Sequence, residues 1–257
     1  MPLSPFLVRI CATYIGSEPC QNPAAPVKGV PSAQWDDDEV SEASQRSYGG
    51  QSADTRRKER RDRLIDAALD GAADNAWRTM TVDKLCAAAG LNKRYFYESF
   101  TDLDAVAAAA VDDIAARVSI ATMSAMSSAL TEPLERQAAV AVDALVRTLV
   151  QDPRRARVLL GGVSISAALH QHREAVMRGL TEVLIGHARV VHGVELEQDP
   201  LAEIAPAFVV GGTADAILAF IEGRAHVSVE QLVDGLVTLW LITGNGAAAV
   251  ARSRVEQ

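Results

Sequence analysis

Residues 90–100, GLNKRYFYESF, place a lysine, an arginine and several aromatic rings together in a chain whose formal net charge is −8. Arginine and lysine side chains donate hydrogen bonds to guanine O6 and N7, which face the major groove of DNA. Tyrosine hydroxyl groups donate to phosphate oxygens, which positions a protein on a duplex. These residue types therefore predict DNA contacts by Asn92, Lys93, Arg94, Tyr95 and Tyr97, with Lys93, Arg94 and Tyr95 near base edges and Tyr97 at a phosphate.

A second group of cations opens the first helical pattern of the chain. Arg56, Arg57, Lys58 and Arg60 lie in the segment DTRRKERRDR, directly before the first apolar stripe. We interpret them as an arm that contacts the DNA backbone, so that affinity falls as salt rises. Thr81 is also predicted to contact a phosphate, because free amides at a helix N-terminus favour anions. A basic run alone is more often a solvated helix face, and only its position next to residues 81–100 favours the DNA interpretation.

Catalytic and metal chemistry receive no support from residue spacing. The sequence has no glycine-rich phosphate loop, no paired acid and base, and no Ser/His/Asp arrangement, so we predict no catalytic residue and no enzymatic activity. The three cysteines, Cys11, Cys20 and Cys86, stand outside CxxC and His-paired spacings, which argues against a disulfide framework or a metal site. We therefore expect no cofactor, a reducing cytoplasm as the location, and a packing role for Cys86.

The elements that must position these side chains are short helices with recognisable caps. Thr81 fits the N-cap of VDKLCAAA, and Asn92 fits the N-cap of KRYFYESF. Gly90 is predicted to form the turn between them, because glycine adopts the left-handed backbone that ends a helix. Two short helices joined by such a turn, after a basic helix, form a helix-turn-helix. Phe96 and Phe100 are expected to face inward, because one short helix cannot direct every ring at DNA.

Helical patterns continue to the end of the chain. Residues 101–104, TDLD, fit a capping box that opens a helix through about Ser119, and Ser228 with Gln231 fits another that opens a final helix ending near TGNG. Residues 201–222 are apolar nearly all round, which predicts burial on more than one side. No stretch is judged long enough to span a bilayer, so no membrane partner is expected. With no strand-like alternation, the chain is predicted to be all-α.

The segment TVDKLCAAAGLNKRYFYESFTDLDAV resembles the DNA-binding domain of the TetR family of bacterial transcription regulators. The residues that match are Thr81 with Val82, Leu85 with Cys86, Ala89 with Gly90, Tyr97 and Phe100. The string RYFYESF is similar to one subclass of that family. The resemblance implies an N-terminal three-helix helix-turn-helix DNA-binding domain and a C-terminal helical ligand-binding and dimerisation domain. It also implies a homodimer, a double-stranded DNA operator and an unidentified small-molecule effector.

Three positions depart from the family pattern. Leu103 stands where a lysine that contacts phosphate is usual, and Gly71 with Ala72 stands where a larger Leu-Phe pair is usual. We expect Trp77 to fill the space beside Gly71. Arg94 replaces a common glycine, which bears on the bases that are read.

These patterns divide the chain into four segments. Residues 1–53, rich in proline, glycine, serine and acidic residues, are predicted to be a disordered extension. Residues 54–118 are the predicted helix-turn-helix domain, and residues 119–250 the predicted effector-binding and dimerisation domain. Residues 251–257 are predicted to be a flexible tail.

The predicted function is that of a cytoplasmic, homodimeric, sequence-specific transcriptional regulator, acting as a ligand-responsive repressor. His187 and Asp215 are the candidate effector contacts, with a core role for His187 and a bond across the dimer for Asp215 as alternatives. A helical small-molecule-binding protein or enzyme that keeps a vestigial DNA-binding domain is the alternative from another class. A nonspecific DNA binder is a third interpretation.

Overall fold

Nine α-helices and one 3₁₀ turn form the regular structure of residues 53–73, 76–161, 166–192 and 199–255, which are the residues that the computed structural model describes. The helices are α1 Ala53–Ala73, α2 Val82–Ala88, α3 Lys93–Tyr97, α4 Leu103–Ser127, α5 Leu134–Val150, α6 Pro153–Leu159, α7 Ala167–His192, α8 Leu201–Ile221 and α9 Val229–Val255, with the 3₁₀ turn at Ala76–Thr79. No strand occurs within these ranges, and the all-α prediction is confirmed.

The chain divides into two units, residues 1–58 and residues 59–257. The predicted disordered extension, residues 1–53, lies outside the described residues except for its last position. Residues 53–58 form the first turns of α1, and all of them are exposed. This exposed set includes three cations of the predicted backbone arm, Arg56, Arg57 and Lys58. Their contact with DNA stays a prediction.

The three helices of the helix-turn-helix share one apolar core. Leu64 of α1, Leu85 of α2 and Phe96 of α3 have no exposed surface and belong to the same buried cluster. Trp77 in the 3₁₀ turn is also buried. A Cβ atom placed on Gly71 would meet the Met80 side chain first and would lie 3.5 Å from the Trp77 ring. Trp77 lies beside Gly71 as predicted, but it shares that space with Met80, which is closer to Gly71.

The N-cap of α4 is one residue later than predicted. The Asp102 carboxylate accepts a hydrogen bond from the Ala105 amide at 2.7 Å, whereas the Thr101 hydroxyl donates to the other Asp102 oxygen at 3.2 Å. Aspartate is favoured over threonine at an N-cap, because a carboxylate is the stronger acceptor for a free helix amide. The predicted capping box that begins at Thr101 is therefore wrong in register.

Helix α4 is the continuous element between the two predicted domains. It extends to Ser127, past the predicted end near Ser119, so that residue 118, the predicted domain boundary, lies inside it. It packs against α5, α6 and α7. A displacement of α4 therefore involves both the helix-turn-helix and the C-terminal helices.

Arg154 adds a second connection between these parts of the chain. Its Nη1 lies 2.6 Å from Asp70 Oδ1 and its Nη2 lies 3.1 Å from Asp66 Oδ1, both on α1. The same guanidinium lies 2.8 Å from Asp152, the N-cap of α6. The hydrogen bond from Arg154 is the main reason that the pKa of Asp152 lies below its ordinary value. One arginine thus joins α1 to the start of α6.

The last helix begins as predicted and ends later. The Gln231 amide donates to Ser228 Oγ at 3.2 Å, and the Ser228 amide donates to Gln231 Oε1 at 2.8 Å, which confirms the capping box. The helix then continues to Val255, so the predicted stop near residues 243–246 is wrong, and residues 251–255 of the predicted tail are helical.

Tertiary contacts explain the later end of α9. Ala251 is buried, and Arg254 Nη1 lies 3.1 Å from Asp199 Oδ2 in the segment before α8. Burial and ion pairing outweigh the low helix propensity of the glycines at positions 244 and 246.

Helix α8 and residues 229–254 of α9 are long and apolar enough by composition to cross a membrane. The expectation that no stretch reaches this length is therefore wrong, and for α9 the reason is the later end of the helix. In the structure α8 packs against α9, and α9 also packs against α5. Length and composition are shared by membrane spans and by helices that pack inside proteins, so the absence of a membrane partner stays a prediction.

Candidate nucleic-acid interface

Side-chain caps determine where the two short helices begin. Thr81 Oγ1 accepts a hydrogen bond from the Lys84 amide, and Asn92 Oδ1 accepts one from the Tyr95 amide, each at 3.2 Å. Both predicted N-caps are confirmed. The Thr81 side chain accepts through its oxygen and keeps its own hydroxyl proton as a donor, which is compatible with the predicted phosphate contact.

Gly90 forms the turn between α2 and α3. Its φ is +63°, the Leu91 amide donates to the Cys86 carbonyl at 2.8 Å, and the Gly90 amide donates to the Ala87 carbonyl at 3.1 Å. This pair of bonds is the Schellman arrangement, which ends a helix with a left-handed residue. The predicted glycine turn is confirmed, and it leads directly to the Asn92 cap. Cys86 lies within the core below this turn, where burial raises the pKa of its thiol.

The short helix α3 separates its apolar side from its polar side. Phe96 and Phe100 are buried, as predicted. Tyr97 is 61% exposed, and the side chains of Lys93 and Arg94 are 55% and 83% exposed. Residues four apart share a side of a helix, so Phe96 and Phe100 hold α3 to the core while Lys93 and Tyr97 lie on the solvent side.

Both exposed cations of α3 are paired with carboxylates. Lys93 Nζ lies 2.8 Å from Asp83 Oδ1 of α2, and Arg94 Nε lies 3.1 Å from Glu98 Oε1. The hydrogen bond to Asp83 is the main cause of the raised pKa of Lys93, so this amine stays protonated well above neutral pH. Exposed ion pairs are weak, because water already solvates both partners. A phosphate or a base edge can therefore compete with either carboxylate for its cation.

Arg60 lies against α3. Its guanidinium carbon is 4.4 Å from the centre of the Tyr95 ring, and its Nη2 is 3.7 Å from Glu98 Oε2. Only 22% of the Arg60 side chain is exposed, and Tyr95 is half-buried. A cation over an aromatic face is attracted to it, so these two residues help to hold α3 on α1. The structure thus brings Arg60 and Tyr95 together, and DNA contact by either of them stays a prediction.

A cavity of about 340 Å³ that is widely open to solvent lies between α6 and α7. Its lining consists of Leu159, Leu160, Arg173, Glu174, Met177, Arg178 and Thr181. Arg173, Met177 and Thr181 follow one another at four-residue spacing and therefore share one side of α7. This spacing can be read from the sequence, but the sequence does not indicate that the end of α6 forms the opposite wall of the cavity.

The two predicted effector contacts lie elsewhere. His187 is half-buried near the end of α7 and does not line the cavity. The Asp215 side chain is 80% exposed, and its Oδ1 lies 4.0 Å from Arg224 Nη2. The structure does not bring these residues together with the cavity, and their contact with an effector stays a prediction.

Several solved structures are similar to most of the chain. The fatty acid degradation regulator FadR from Bacillus halodurans is 19% identical, with a TM-score of 0.58 over 70% of this chain and 97% of that chain. A TetR family transcription regulator from Marinobacter aquaeolei VT8 is 16% identical, with a TM-score of 0.54 over 73% and 96%. FadR from Bacillus subtilis in complex with stearoyl-CoA is 16% identical, with a TM-score of 0.54 over 70% and 96%. The chain has a TetR-like fold.

By sequence, no protein-family model and no curated protein matches the chain. Structural likeness at these identities establishes the TetR-like fold and leaves the activity to be argued from the site. The predicted subclass with the string RYFYESF stays a prediction for the same reason.

Two carboxylates, Glu98 and Asp83, are candidate functional residues that the helix-turn-helix motif itself does not indicate. Glu98 follows Arg94 by four residues, a spacing that indicates an ion pair on a helix. Asp83 and Lys93 belong to different helices, and no spacing rule indicates their contact. The cavity residues Met177 and Thr181 could not be identified from the sequence either, because a methionine and a threonine on a helix do not by themselves indicate a binding site.

Proposed function

We propose that the chain is a member of the TetR family and a sequence-specific, homodimeric transcriptional regulator that represses its target genes until an effector binds. The observation that carries this proposal is the exposure of Lys93 and Arg94 at the start of α3, on a helix-turn-helix whose caps and glycine turn are complete. The regulator is proposed to act in the cytoplasm, where it meets DNA, and not as an enzyme.

One α3 helix would enter the major groove of B-DNA, which admits a single helix. Lys93 would exchange Asp83 for a base edge, and Arg94 would bind a base edge through its terminal nitrogens. Guanine O6 and N7 are the acceptors that suit both side chains. Tyr97 and Thr81, both exposed, would donate to phosphates at either side of the groove.

An exposed apolar stripe supports the homodimer. Its members are Ile204, Phe208, Gly211 and Gly212 on α8, and Gly235, Leu239, Ile242, Gly246 and Val250 on α9. The repeated steps of three and four residues keep the stripe on one side of each helix. Phe208 is 68% exposed and Ile242 is 64% exposed, and the glycines have open space beside them. A monomer rarely leaves such a surface in water, and small residues let two helices approach closely.

The dimer would present two α3 helices to one side of a duplex. Successive turns of the major groove lie about 34–36 Å apart, so the separation of the two helices decides whether both bind. The proposed route from effector to DNA is α4, because His172 of α7 lies 2.8 Å from Asp112 of α4 and α4 continues to the helix-turn-helix. An effector that prefers the nonbinding separation weakens DNA affinity by its differential affinity for the two states.

The proposed effector is an amphipathic anion with a fatty acyl chain. The lining of the cavity between α6 and α7 combines apolar Leu159, Leu160 and Met177 with two arginines and one glutamate, which gives it a net positive charge. Its volume falls at the lower end of the range of about 300–1,000 Å³ that is usual for small-molecule sites. A protein of similar fold, FadR from Bacillus subtilis, was solved with stearoyl-CoA. This chemistry makes acyl-CoA thioesters the first probes.

Lys93→Ala and Arg94→Ala are each expected to weaken binding to a duplex from the chain's own upstream region. A lost bidentate contact with guanine corresponds to about 5- to 150-fold in affinity per reading helix. The preference for the upstream duplex over a random duplex should also fall, because both cations are proposed to contact base edges. Gel retardation at several salt concentrations, with the upstream duplex and a random duplex, measures both effects.

Arg117→Ala is the matched control. Arg117 Nε forms an ion pair with Asp113 at 2.6 Å with the same four-residue spacing as Arg94 and Glu98, but on α4. This variant should bind the upstream duplex as the wild type does. Equal losses for Arg94→Ala and Arg117→Ala would contradict the reading role. Equal wild-type affinity for the two duplexes would indicate a nonspecific binder, and no binding to any duplex would favour the vestigial-domain alternative.

Octanoyl-CoA or stearoyl-CoA is expected to lower the affinity for the upstream duplex by about fivefold or more, the lower limit of a typical allosteric coupling. Met177→Trp should abolish this response, because the indole ring occupies the cavity, while DNA binding without ligand is retained. Val183→Trp is the control on the same helix, since Val183 is partly exposed and does not line the cavity. If acyl-CoA lowered the DNA affinity of Met177→Trp as much as that of Val183→Trp, the cavity would be excluded as the effector site.

A further inference from the structure

Glu98 contacts cations from two different helices with its two carboxylate oxygens. Oε1 lies 3.1 Å from Arg94 Nε in α3, and Oε2 lies 3.7 Å from Arg60 Nη2 in α1. The Glu98 side chain is 33% exposed and that of Arg60 is 22% exposed, whereas that of Arg94 is 83% exposed. A half-buried carboxylate therefore connects one exposed cation to one that is held in place.

The anchoring of this carboxylate follows from Arg60. The Arg60 guanidinium stacks over the Tyr95 ring at 4.4 Å, which restricts its motion and so restricts Glu98. Glu98 in turn accepts a hydrogen bond from Nε of Arg94 and not from its terminal nitrogens. The terminal nitrogens of a guanidinium form the fork that binds guanine O6 and N7. The contact thus constrains the Arg94 side chain through Nε and leaves the terminal nitrogens of this exposed side chain to bind another acceptor.

The charge of Glu98 has a second consequence at the same place. Sequence-independent affinity for DNA depends on the number of phosphates that the protein neutralises. A carboxylate next to Arg94 and Arg60 offsets part of their positive charge and repels phosphates in every duplex. Base contacts by the Arg94 fork are short-ranged and depend on its direction more than on net charge.

We propose that Glu98 is a positioning and specificity-determining residue: it orients Arg94 toward one base position and offsets the positive charge that would otherwise bind any duplex. This inference rests on the proposed function, because it concerns how the same surface selects its DNA. On this proposal the Glu98 carboxylate gives Arg94 and Arg60 a preference for one DNA sequence over others that their positive charges alone would not provide.

Two substitutions separate the roles of charge and orientation. Glu98→Gln keeps the length and one acceptor oxygen for Arg94 Nε but removes the charge. It should bind a random-sequence duplex up to about fivefold more tightly per reading helix, with a steeper salt dependence and an unchanged base preference. Glu98→Ala removes the acceptor as well. It should show the same gain on the random duplex and lose about tenfold of the preference for guanine at one position.

The probes are a random-sequence duplex and a duplex selected from a random library by the wild-type protein. Asp143→Asn is the matched control, because Asp143 pairs with Arg147 Nε at 2.7 Å with the same spacing on α5 and its replacement changes the net charge equally. This control should leave the base preference and the ratio of the two affinities unchanged. Thermal unfolding without DNA shows whether each variant is folded. If Glu98→Ala does not fold, the isosteric Glu98→Gln still tests the role of the charge.

The inference is overturned if the wild type binds the selected duplex while Glu98→Gln gains no affinity for the random duplex. It is also overturned if a folded Glu98→Ala keeps the full guanine preference, or if Asp143→Asn gives the same gain as Glu98→Gln. In each of these results the proposed function survives. A wild type from which no duplex can be selected contradicts the proposed function itself, and the inference with it.

Discussion

Phe208→Glu is expected to leave the protein monomeric and to remove its high-affinity binding to the upstream duplex. Phe208 is 68% exposed in the apolar stripe of α8, where the proposed homodimer would cover it with a second copy. A carboxylate enclosed there without a partner costs several kcal/mol, which corresponds to a dimer dissociation constant raised about 100-fold or more. A single helix-turn-helix then binds without the second half-site, and the affinity of a monomer is far lower.

Sedimentation velocity in the absence of detergent measures the expected change from twice the chain mass to the chain mass. Leu130→Glu is the control, because Leu130 is 66% exposed in the turn after α4 and lies outside the stripe. It should remain dimeric and bind DNA normally. A wild type that is monomeric at concentrations at which it binds the upstream duplex would exclude the homodimer. If the wild type instead partitioned into membranes, the apolar surfaces of α8 and α9 would be covered by lipid and not by a second copy of the chain.

Phe96→Ala is expected to destabilise the protein by about 3–5 kcal/mol, the usual cost of deleting a buried aromatic ring. Phe96 has no exposed surface, and its ring centre lies 5.2 Å from that of Tyr97 and 6.0 Å from that of Phe100. It is the buried side chain of α3, so its loss removes the main contact that holds this short helix on the core. Chemical denaturation followed by circular dichroism gives the free energy of unfolding.

Tyr97→Ala provides the comparison from the neighbouring position of the same helix. Tyr97 is 61% exposed, so its replacement should change the free energy of unfolding by less than about 1 kcal/mol. It should nevertheless weaken binding to every duplex, since its proposed partner is a phosphate. A large loss of stability in Tyr97→Ala, or a small one in Phe96→Ala, would show that the two sides of α3 have been assigned in reverse.

Local chemistry made much of the helix-turn-helix predictable. The caps at Thr81 and Asn92 and the glycine turn at Gly90 each involve hydrogen bonds between residues at most five positions apart. Such contacts form wherever the chain adopts these backbone angles, so residue type and spacing are enough to predict them. The inward positions of Phe96 and Phe100 follow from helical periodicity in the same way.

Helix ends that depend on distant contacts were predicted less well. The glycines near residue 245 indicated a stop, yet α9 continues because Ala251 is buried and Arg254 pairs with Asp199, 55 positions earlier. The propensity of a few residues is small compared with burial and ion pairing that involve another segment. The register of the α4 cap is a different case, because Thr101 and Asp102 are both acceptable caps and only their competition decides.

The sequence by itself determined the all-α class, the helix-turn-helix and the exposed cations of α3, because these depend on periodicity and on groups within one or two turns. Only the tertiary structure decided that Asp83 faces Lys93, that Arg60 lies on Tyr95, that Arg154 joins α1 to α6, and where the cavity lies. These features require side chains from separate helices to meet, and the directions of packed helices are set by the whole core. No spacing along the chain encodes that arrangement.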